Sequence, residues 1–274
     1  MSFNLDDKQF TGNIDVIVYG QAGCRKTLSM ITASKSLLVN IEHRIDSMIE
    51  YRKELDEQKR IWTVDLDTKA EGNAGQTELD LLKRSLYGNK ATGGAEIGLF
   101  PILRSEKAKE KYDTIFVDSI SIIGDLVKEH TIKPKNEFDY WPLMEKDFMS
   151  IVNSFIDLPY NVVFLAKRKT EKRQKLNAVG KLESFDYYNM DAYTKSIPFS
   201  LAHVIKNMFY MDTVGSGLKS KTVIYTAPSD THAARCVKQK ALNPTEVFSF
   251  AEGNLVGWDM IFDKINSYDA KQLN

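Results

Sequence analysis

The residues best equipped for chemistry lie near the amino terminus, where Gly20-Gln21-Ala22-Gly23-Cys24-Arg25-Lys26-Thr27 nearly matches the pattern Gly-x-x-x-x-Gly-Lys-(Ser/Thr). In such a loop successive backbone N–H groups face phosphate oxygens, the lysine reaches the β- and γ-phosphates, and the hydroxyl binds magnesium. Lys26 and Thr27 stand in those two places, so the stretch Gly20 to Thr27 is a candidate cradle for ATP and Mg2+. Arg25 departs from the pattern by replacing its last glycine. If that position needs φ > 0, a side chain there costs on the order of 1 kcal/mol. Its cation either weakens the phosphate site or adds to it.

A second group that could do chemistry closes the apolar run Tyr112-Asp113-Thr114-Ile115-Phe116-Val117-Asp118-Ser119. A carboxylate at the C-terminal end of a strand beside a phosphate loop can hold the magnesium shell, and Asp118 is the candidate. The competing reading is a plain helix cap.

These groups need a scaffold, and the elements around them alternate. Asp15 to Tyr19 reads as a strand and Lys26 to Ser36 as the helix behind the loop. Ser36 to Ile41 is a second strand, followed by a charged helix to about Lys59 and a strand over Ile61 to Leu66. Thr77 to Leu86 is helical, and the glycines of Gly88 to Gly98 mark a loop. After Tyr112 to Val117 come a helix, a polar loop near Lys133 to Asp139, a helix from about Trp141 to Ile156, and a strand over Asn161 to Ala166. Ala202 to Asp212 and Lys221 to Thr226 read as late strands. Alternation of this kind predicts an α/β fold, a mainly parallel central sheet with helices on both faces.

Composition narrows the classes. The chain has 274 residues, enough for one large domain, and 43% apolar content is ample for a buried sheet. The 37 basic and 37 acidic side chains cancel, so any nucleic-acid surface must come from local clustering. Cys24 and Cys236 lack metal-type spacing, and the histidines form no ligand pair at short range, which argues against structural zinc and a disulfide framework. No run approaches the roughly 18 apolar residues of a membrane span, and the expectation is a cytoplasmic protein without a membrane partner.

Beyond these motifs the chain resembles the RecA recombinases. Glu42, in Val39-Asn40-Ile41-Glu42-His43-Arg44-Ile45-Asp46, occupies the place of the glutamate that activates the attacking water. A carboxylate at a strand tip near the phosphate loop can orient water toward the γ-phosphate; an exposed Glu at a helix start is the alternative. Val237-Lys238-Gln239-Lys240 is similar to the Lys-x-Lys that reaches a neighbouring subunit's ATP, with Lys238 and Lys240 pointing the same way on a strand; two solvated lysines are the alternative. The motifs occur in RecA order over about residues 14 to 250 with a short helical tail, as a single RecA-like P-loop ATPase domain over 1–274. The chain looks like the compact RecA-core single-strand annealing proteins of tailed phages, a likeness carried also by Phe138-Asp139-Tyr140-Trp141 and Pro159-Tyr160-Asn161-Val162-Val163. That resemblance implies homologous recombination, a homo-oligomeric ring or filament with ATP between subunits, and a single-strand-binding protein as partner. Lys167 stands where RecA has a γ-phosphate-sensing glutamine, a departure from RecA-style coupling of ATP to DNA.

The segment that follows is the candidate DNA surface. Lys167, Arg168, Lys169, Lys172, Arg173, Lys175 and Lys181 face only Glu171 in residues 167–181, and Phe185, Tyr187, Tyr188 and Tyr193 lie just beyond. Such a segment can hold phosphates and stack unpaired bases; a solvated charged loop with core tyrosines is the plainer reading. The functions in competition are an ATP-dependent single-stranded DNA-binding ATPase, a P-loop switch or loader acting on a replication protein, and a scaffold in which Arg25 has abolished nucleotide binding.

Overall fold

In the strands, neighbouring apolar residues point to opposite faces of the sheet, because side chains alternate with period two. Ile17, Tyr19, Leu37, Val39, Ile115, Val117, Val162 and Phe164 enter one buried cluster, while Val16, Val18, Leu38, Phe116, Val163 and Leu165 enter another. Both faces are therefore covered, as the run of buried positions in each strand requires. The computed structural model describes residues 12–43, 48–70, 73, 75–88, 97–131, 137–176, 179, 181–191, 197–215, 220–238, 240–251 and 254–272.

Among the described residues the first elements are β1 (Asp15–Gly20), the phosphate loop and a 3-10 turn (Leu28–Thr32), then β2 (Ser36–Asn40), α1 (Ile49–Glu57) and β3 (Ile61–Thr63). There follow α2 (Glu78–Tyr87), α3 (Leu99–Leu103), α4 (Glu106–Lys111), β4 (Thr114–Asp118), α5 (Ile120–His130) and α6 (Glu137–Ile156). The second half comprises β5 (Asn161–Leu176), β6 (Leu182–Met190), α7 (Ile197–Val204), β7 (Asn207–Val214), β8 (Lys221–Tyr225), β9 (Thr245–Ala251), β10 (Asn254–Val256) and α8 (Trp258–Gln272). The sheet order is β10-β9-β8-β7-β1-β5-β4-β2-β3, with β6 off this path and paired to β5. Strands from β3 to β7 along this order run parallel, and β8 to β10 add an antiparallel meander. Helices α2, α3, α5 and α6 pack on the first cluster; the 3-10 turn, α1 and α8 pack on the second. The α/β architecture with helices on both faces is as the sequence predicts.

Several expectations are corrected. No α-helix follows the phosphate loop: the chain makes one 3-10 turn, Leu28–Thr32. The reason is local, because Ser29 Oγ donates to Lys26 O (2.6 Å) and Thr32 Oγ1 to Ser29 O (2.7 Å), and such back-bonding hydroxyls compete with helical hydrogen bonds. The strand expected to end at Ala166 continues to Leu176, turning the basic stretch from a loop into the first arm of a hairpin with β6. The region from Ala202 to Asp212 begins in helix α7 and only then becomes β7. The polar stretch near Lys133 to Asp139 is already helical from Glu137. Lys238 and Lys240 lie in a turn, with the Ala241 N–H donating to Lys238 O, so their alternation on a strand does not hold. Residues 89–96, most of the expected glycine loop, lie outside the described residues, as do Arg44 to Asp46 and Tyr193. The short helical tail expected after residue 250 is α8, whose Trp258, Ile261, Phe262 and Ile265 are buried in the second cluster. No helix among the described residues is long and apolar enough to cross a membrane.

Asp15, the first residue of β1, carries a buried Oδ1 without a hydrogen-bond partner, and burial pushes its carboxyl up to about 7. With a folded value above the ordinary carboxylate range, the Asp15 contribution to stability is full below about pH 4 and is lost as the pH rises through about 7, by about 1.4 kcal/mol per pH unit at the steepest. Asp15→Asn is expected to remove that decline and raise stability at pH 7.5, as read from urea unfolding curves at pH 5 and pH 7.5. An unchanged pH dependence in the variant would refute the assignment.

Candidate functional site

The switch in strand order at β1 leaves a crevice at the C-terminal strand ends, and the sequence motifs converge there. Gly20 ends β1 where no side chain fits: an added Cβ would lie 2.3 Å from Met211 O and 2.7 Å from Cys24 Sγ. Gly23 has φ +81, and Arg25, in the position of the missing glycine, has φ +66. The pattern's glycine is thus explained by geometry, and arginine holds the same left-handed conformation at a cost. Its guanidinium lies 5.7 Å from the Phe250 ring centroid, a cation–π contact that offsets part of that cost.

Lys26 folds over the loop, its Nζ donating to Gly20 O (2.8 Å) and Gln21 O (2.9 Å). Thr27 Oγ1 donates to Asp118 Oδ2 at 2.6 Å, joining the loop to the end of β4. Asp118 is buried, and desolvation pushes its carboxyl up to about 6, opposed by the Thr27 hydroxyl. It is not a helix cap. Ser119 caps α5, its Oγ accepting from the Ile122 N–H at 3.3 Å, which leaves Asp118 free to face the loop. Glu42 follows β2 in a bend rather than starting a helix; its N–H donates to Asp118 O and its Oε1 accepts from Ser119 Oγ at 2.8 Å. Glu42, Asp118, Lys26 and Thr27 line one cleft of about 520 Å³.

Two residues of the candidate DNA surface, Lys167 and Arg168, also line this cleft. Lys167 pairs in register with Gly20 of β1, and its Nζ is 3.8 Å from both Glu42 Oε1 and Asp125 Oδ2. Its backbone N–H donates to Ser121 Oγ at 2.9 Å. Arg168 also lines the cleft, with its guanidinium over Tyr188 at 4.1 Å and one nitrogen donating to Tyr210 Oη at 3.2 Å. The reason is the register: Lys167 is the last residue of β5 paired with β1, and Arg168 is the first paired with β6. Ser121 and Asp125 were missed by sequence reasoning, although two polar residues four apart in the apolar α5 are a legible signal of a shared helix face.

The remaining cations sit along the hairpin. Residues opposite one another across β5 and β6 share a face, which places Lys169, Arg173 and Lys175 with Phe185 and Tyr187. Arg173 lies 3.4 Å from the Tyr187 ring centroid and Lys175 Nζ 5.3 Å from that of Phe185. Lys172 is on the opposite face, 2.5 Å from Asp186. Arg173 and Lys175 also have acidic neighbours, Glu171 at 3.2 Å and Asp230 at 3.3 Å. Tyr188 is structural, stacked on Tyr210, which in turn stacks on Tyr225 and His232. Neither Lys238 nor Lys240 lines the phosphate-loop cleft; Lys240 faces Lys264 and Tyr268 beside α8. Elsewhere Glu78, Glu129 and His130 gather within 4.8 Å of one another, a grouping across α2 and α5 that short-range spacing in the sequence does not reveal.

The donor set fits a magnesium nucleotide. Thr27 and Asp118 offer adjacent oxygens that would hold Mg2+, which would supply charge neutralisation at the phosphates, and Lys26 keeps its ammonium on the loop at the Gly20 and Gln21 carbonyls. A parallel sheet with a phosphate loop after its central strand and an acidic strand end beside it defines a RecA-like P-loop nucleotide-binding core. The sequence profile of the AAA domain family matches residues 12–236, and the chain belongs to that family of P-loop ATPase domains. A search of curated proteins gives no match. Among solved structures the chain is similar to the KaiC-like protein PH0186 from the hyperthermophilic archaeon Pyrococcus horikoshii OT3, at 14% identity and a TM-score of 0.43 over 89% of each chain. That likeness is too loose to carry a function.

Two outcomes follow from this geometry. Lys26→Ala is expected to weaken Mg-ATP binding roughly 10- to 100-fold, the worth of a charge-assisted contact, as measured by calorimetry. Arg25→Gly is expected to be about 1 kcal/mol more stable than Arg25→Ala in denaturant unfolding, since both lose the side chain and only alanine keeps the strain at φ > 0.

Proposed function

We propose that this chain is an ATPase that binds single-stranded DNA and promotes annealing or homologous recombination, in the manner its sequence resemblance implies. The observation that carries the reading is the continuity of β5: one strand lines the nucleotide cleft at Lys167 and Arg168 and then extends outward as the basic, aromatic face of the hairpin. Lys169, Arg173 and Lys175 supply phosphate contacts, and the Phe185 and Tyr187 rings beneath them supply stacking surfaces for unpaired bases. Internal ion pairs with Glu171 and Asp230 lower the net charge of that face, so binding is expected to be moderate and salt-sensitive.

In hydrolysis Glu42 would orient the attacking water and accept its proton, with Lys26 and Lys167 as the cations nearest the transferred phosphoryl group. Lys238 and Lys240, which do not line their own chain's cleft, would serve a neighbouring subunit's nucleotide in a homo-oligomer. A single-strand-binding protein and a phage-type recombination setting complete the reading.

A second reading, a nucleotide-controlled switch or loader for another replication protein, is favoured by one feature. Leu176, Val179 and Leu182, near the far end of the hairpin, are 67%, 77% and 66% exposed, a surface suited to protein.

The deciding experiment measures Mg-ATP binding and single-stranded oligonucleotide binding together over a salt series. Replacing Lys169, Arg173 and Lys175 by glutamine is expected to flatten the salt dependence of log K by roughly two, at about 0.7 per phosphate contact. Oligonucleotide binding that keeps its full salt slope in the triple variant would exclude the hairpin face. Nucleotide-dependent capture of a partner protein without DNA would favour the switch.

A further inference from the structure

The phosphate loop runs into a single 3-10 turn, so the donors of Gly20 to Thr27 lack the long helix that ordinarily fixes such a loop from behind. The support comes from the other end of the chain. Trp258, the first residue of α8, is fully buried and sits at the centre of Phe116, Phe248 and Phe262, with ring centroids 5.6–5.9 Å away. Its indole Nε1–H donates to Ser29 Oγ (2.9 Å), and Ser29 Oγ donates onward to Lys26 O (2.6 Å). Its backbone N–H donates to Thr32 Oγ1 (3.0 Å), and Thr32 Oγ1 donates to Ser29 O (2.7 Å). The contact is close, since a Cβ on Gly257 would lie 2.2 Å from Thr32 Oγ1. Beside it, Asp259 Oδ2 accepts from the Ser34 N–H at 2.9 Å.

We infer that Trp258 is a positioning residue for the nucleotide site, acting through Ser29 on the Lys26–Thr27 peptide. A peptide unit is planar and trans, so its C=O and N–H point in opposite directions. Holding the Lys26 carbonyl against the buried Ser29 hydroxyl directs the Thr27 N–H toward the mouth of the loop, where phosphate oxygens are received. The same bond sets the start of Thr27, whose hydroxyl meets Asp118. The hydroxyls that compete with helical hydrogen bonds in the 3-10 turn are therefore the ones that carry the relay. This inference rests on the nucleotide-binding reading and adds that residues 257–259, beyond the family-matched segment 12–236, are part of what makes the phosphate loop competent.

The test uses the full chain and titrates Mg-ATP and Mg-ADP into the natural protein, Trp258→Phe, Ser29→Ala, the double variant and Phe262→Leu, each well below its unfolding temperature. Trp258→Phe keeps a ring in the aromatic cluster and removes the indole donor with some ring volume; Phe262→Leu removes packing volume alone and leaves the relay intact. The expected result is a three- to tenfold loss of affinity for both nucleotides in Trp258→Phe and in Ser29→Ala, about one ordinary hydrogen bond. The double variant should be no weaker than Ser29→Ala, because both changes break one relay. Phe262→Leu should lower the unfolding temperature with affinity retained. Natural affinity in Trp258→Phe, additive losses in the double variant, or an equal loss in Phe262→Leu would each overturn the relay. Should the natural chain, folded, bind no nucleotide, the nucleotide reading itself fails, an outcome distinct from any of these.

Discussion

The site depends on one hydrogen bond between residues 91 apart, the 2.6 Å contact from the Thr27 hydroxyl to the Asp118 carboxylate. For it to form, the loop after β1 must reach the end of β4, although β5 lies between the two strands in the sheet. The parallel register solves this: Gly20 stands beside Lys167, and Asp118 beside Leu165, so the three strand ends open onto one crevice. Asp118 is withdrawn from water and Glu42 is tied to Ser119, which places the two carboxylates with different partners and different solvation in the same small volume. Glu42 and Asp118 face four cations, Arg25, Lys26, Lys167 and Arg168, so the cleft lining is net positive before any phosphate enters.

Around that contact the protein departs from the simplest phosphate-loop plan at two points, and both departures are compensated by tertiary contacts. Arg25 occupies a left-handed backbone position and rests against Phe250 of β9. The segment after Thr27 gives up its helix to hydroxyl back-bonding and is braced by α8 through Trp258. In each case the antiparallel meander and the C-terminal helix, which carry none of the nucleotide motifs, are what hold the motif in shape. A helical element lost locally is replaced by packing at long range.

The long β5 extends the same economy to the surface. A single strand is buried in the sheet from Val162 to Ala166, borders the cleft at Lys167 and Arg168, and ends as one arm of the hairpin. Arg168 fastens the hairpin root to Tyr188 and Tyr210, and the rings of Tyr19, Tyr210, Tyr225 and His232 continue that contact behind the phosphate loop. Burial pushes the Tyr19 and Tyr210 phenols above their ordinary range, so these rings stay neutral and serve as packing and hydrogen-bonding partners.

The sequence alone determined the phosphate loop, Asp118 and the α/β alternation, because each is written in local spacing: a glycine pattern, a β-branched run, a polar residue closing a strand; Glu42 came from the resemblance to RecA. The sequence also marked Arg25 as the point where the loop would need φ > 0. What only the tertiary structure decided are matters of register and of contacts distant along the chain. Whether Lys167 faces nucleotide or DNA depends on where β5 leaves the sheet, and a run of similar cations carries no mark of that boundary. Whether residues 167–176 form a loop or a strand depends on pairing with β6, since charged residues have weak strand preference of their own. Lys238 and Lys240 read as a strand pair because alternation in sequence cannot reveal that the backbone turns there. The bracing of Lys26 by Trp258, more than two hundred residues away, has no local signature, because a buried tryptophan looks the same in sequence whether or not its N–H supports a functional loop.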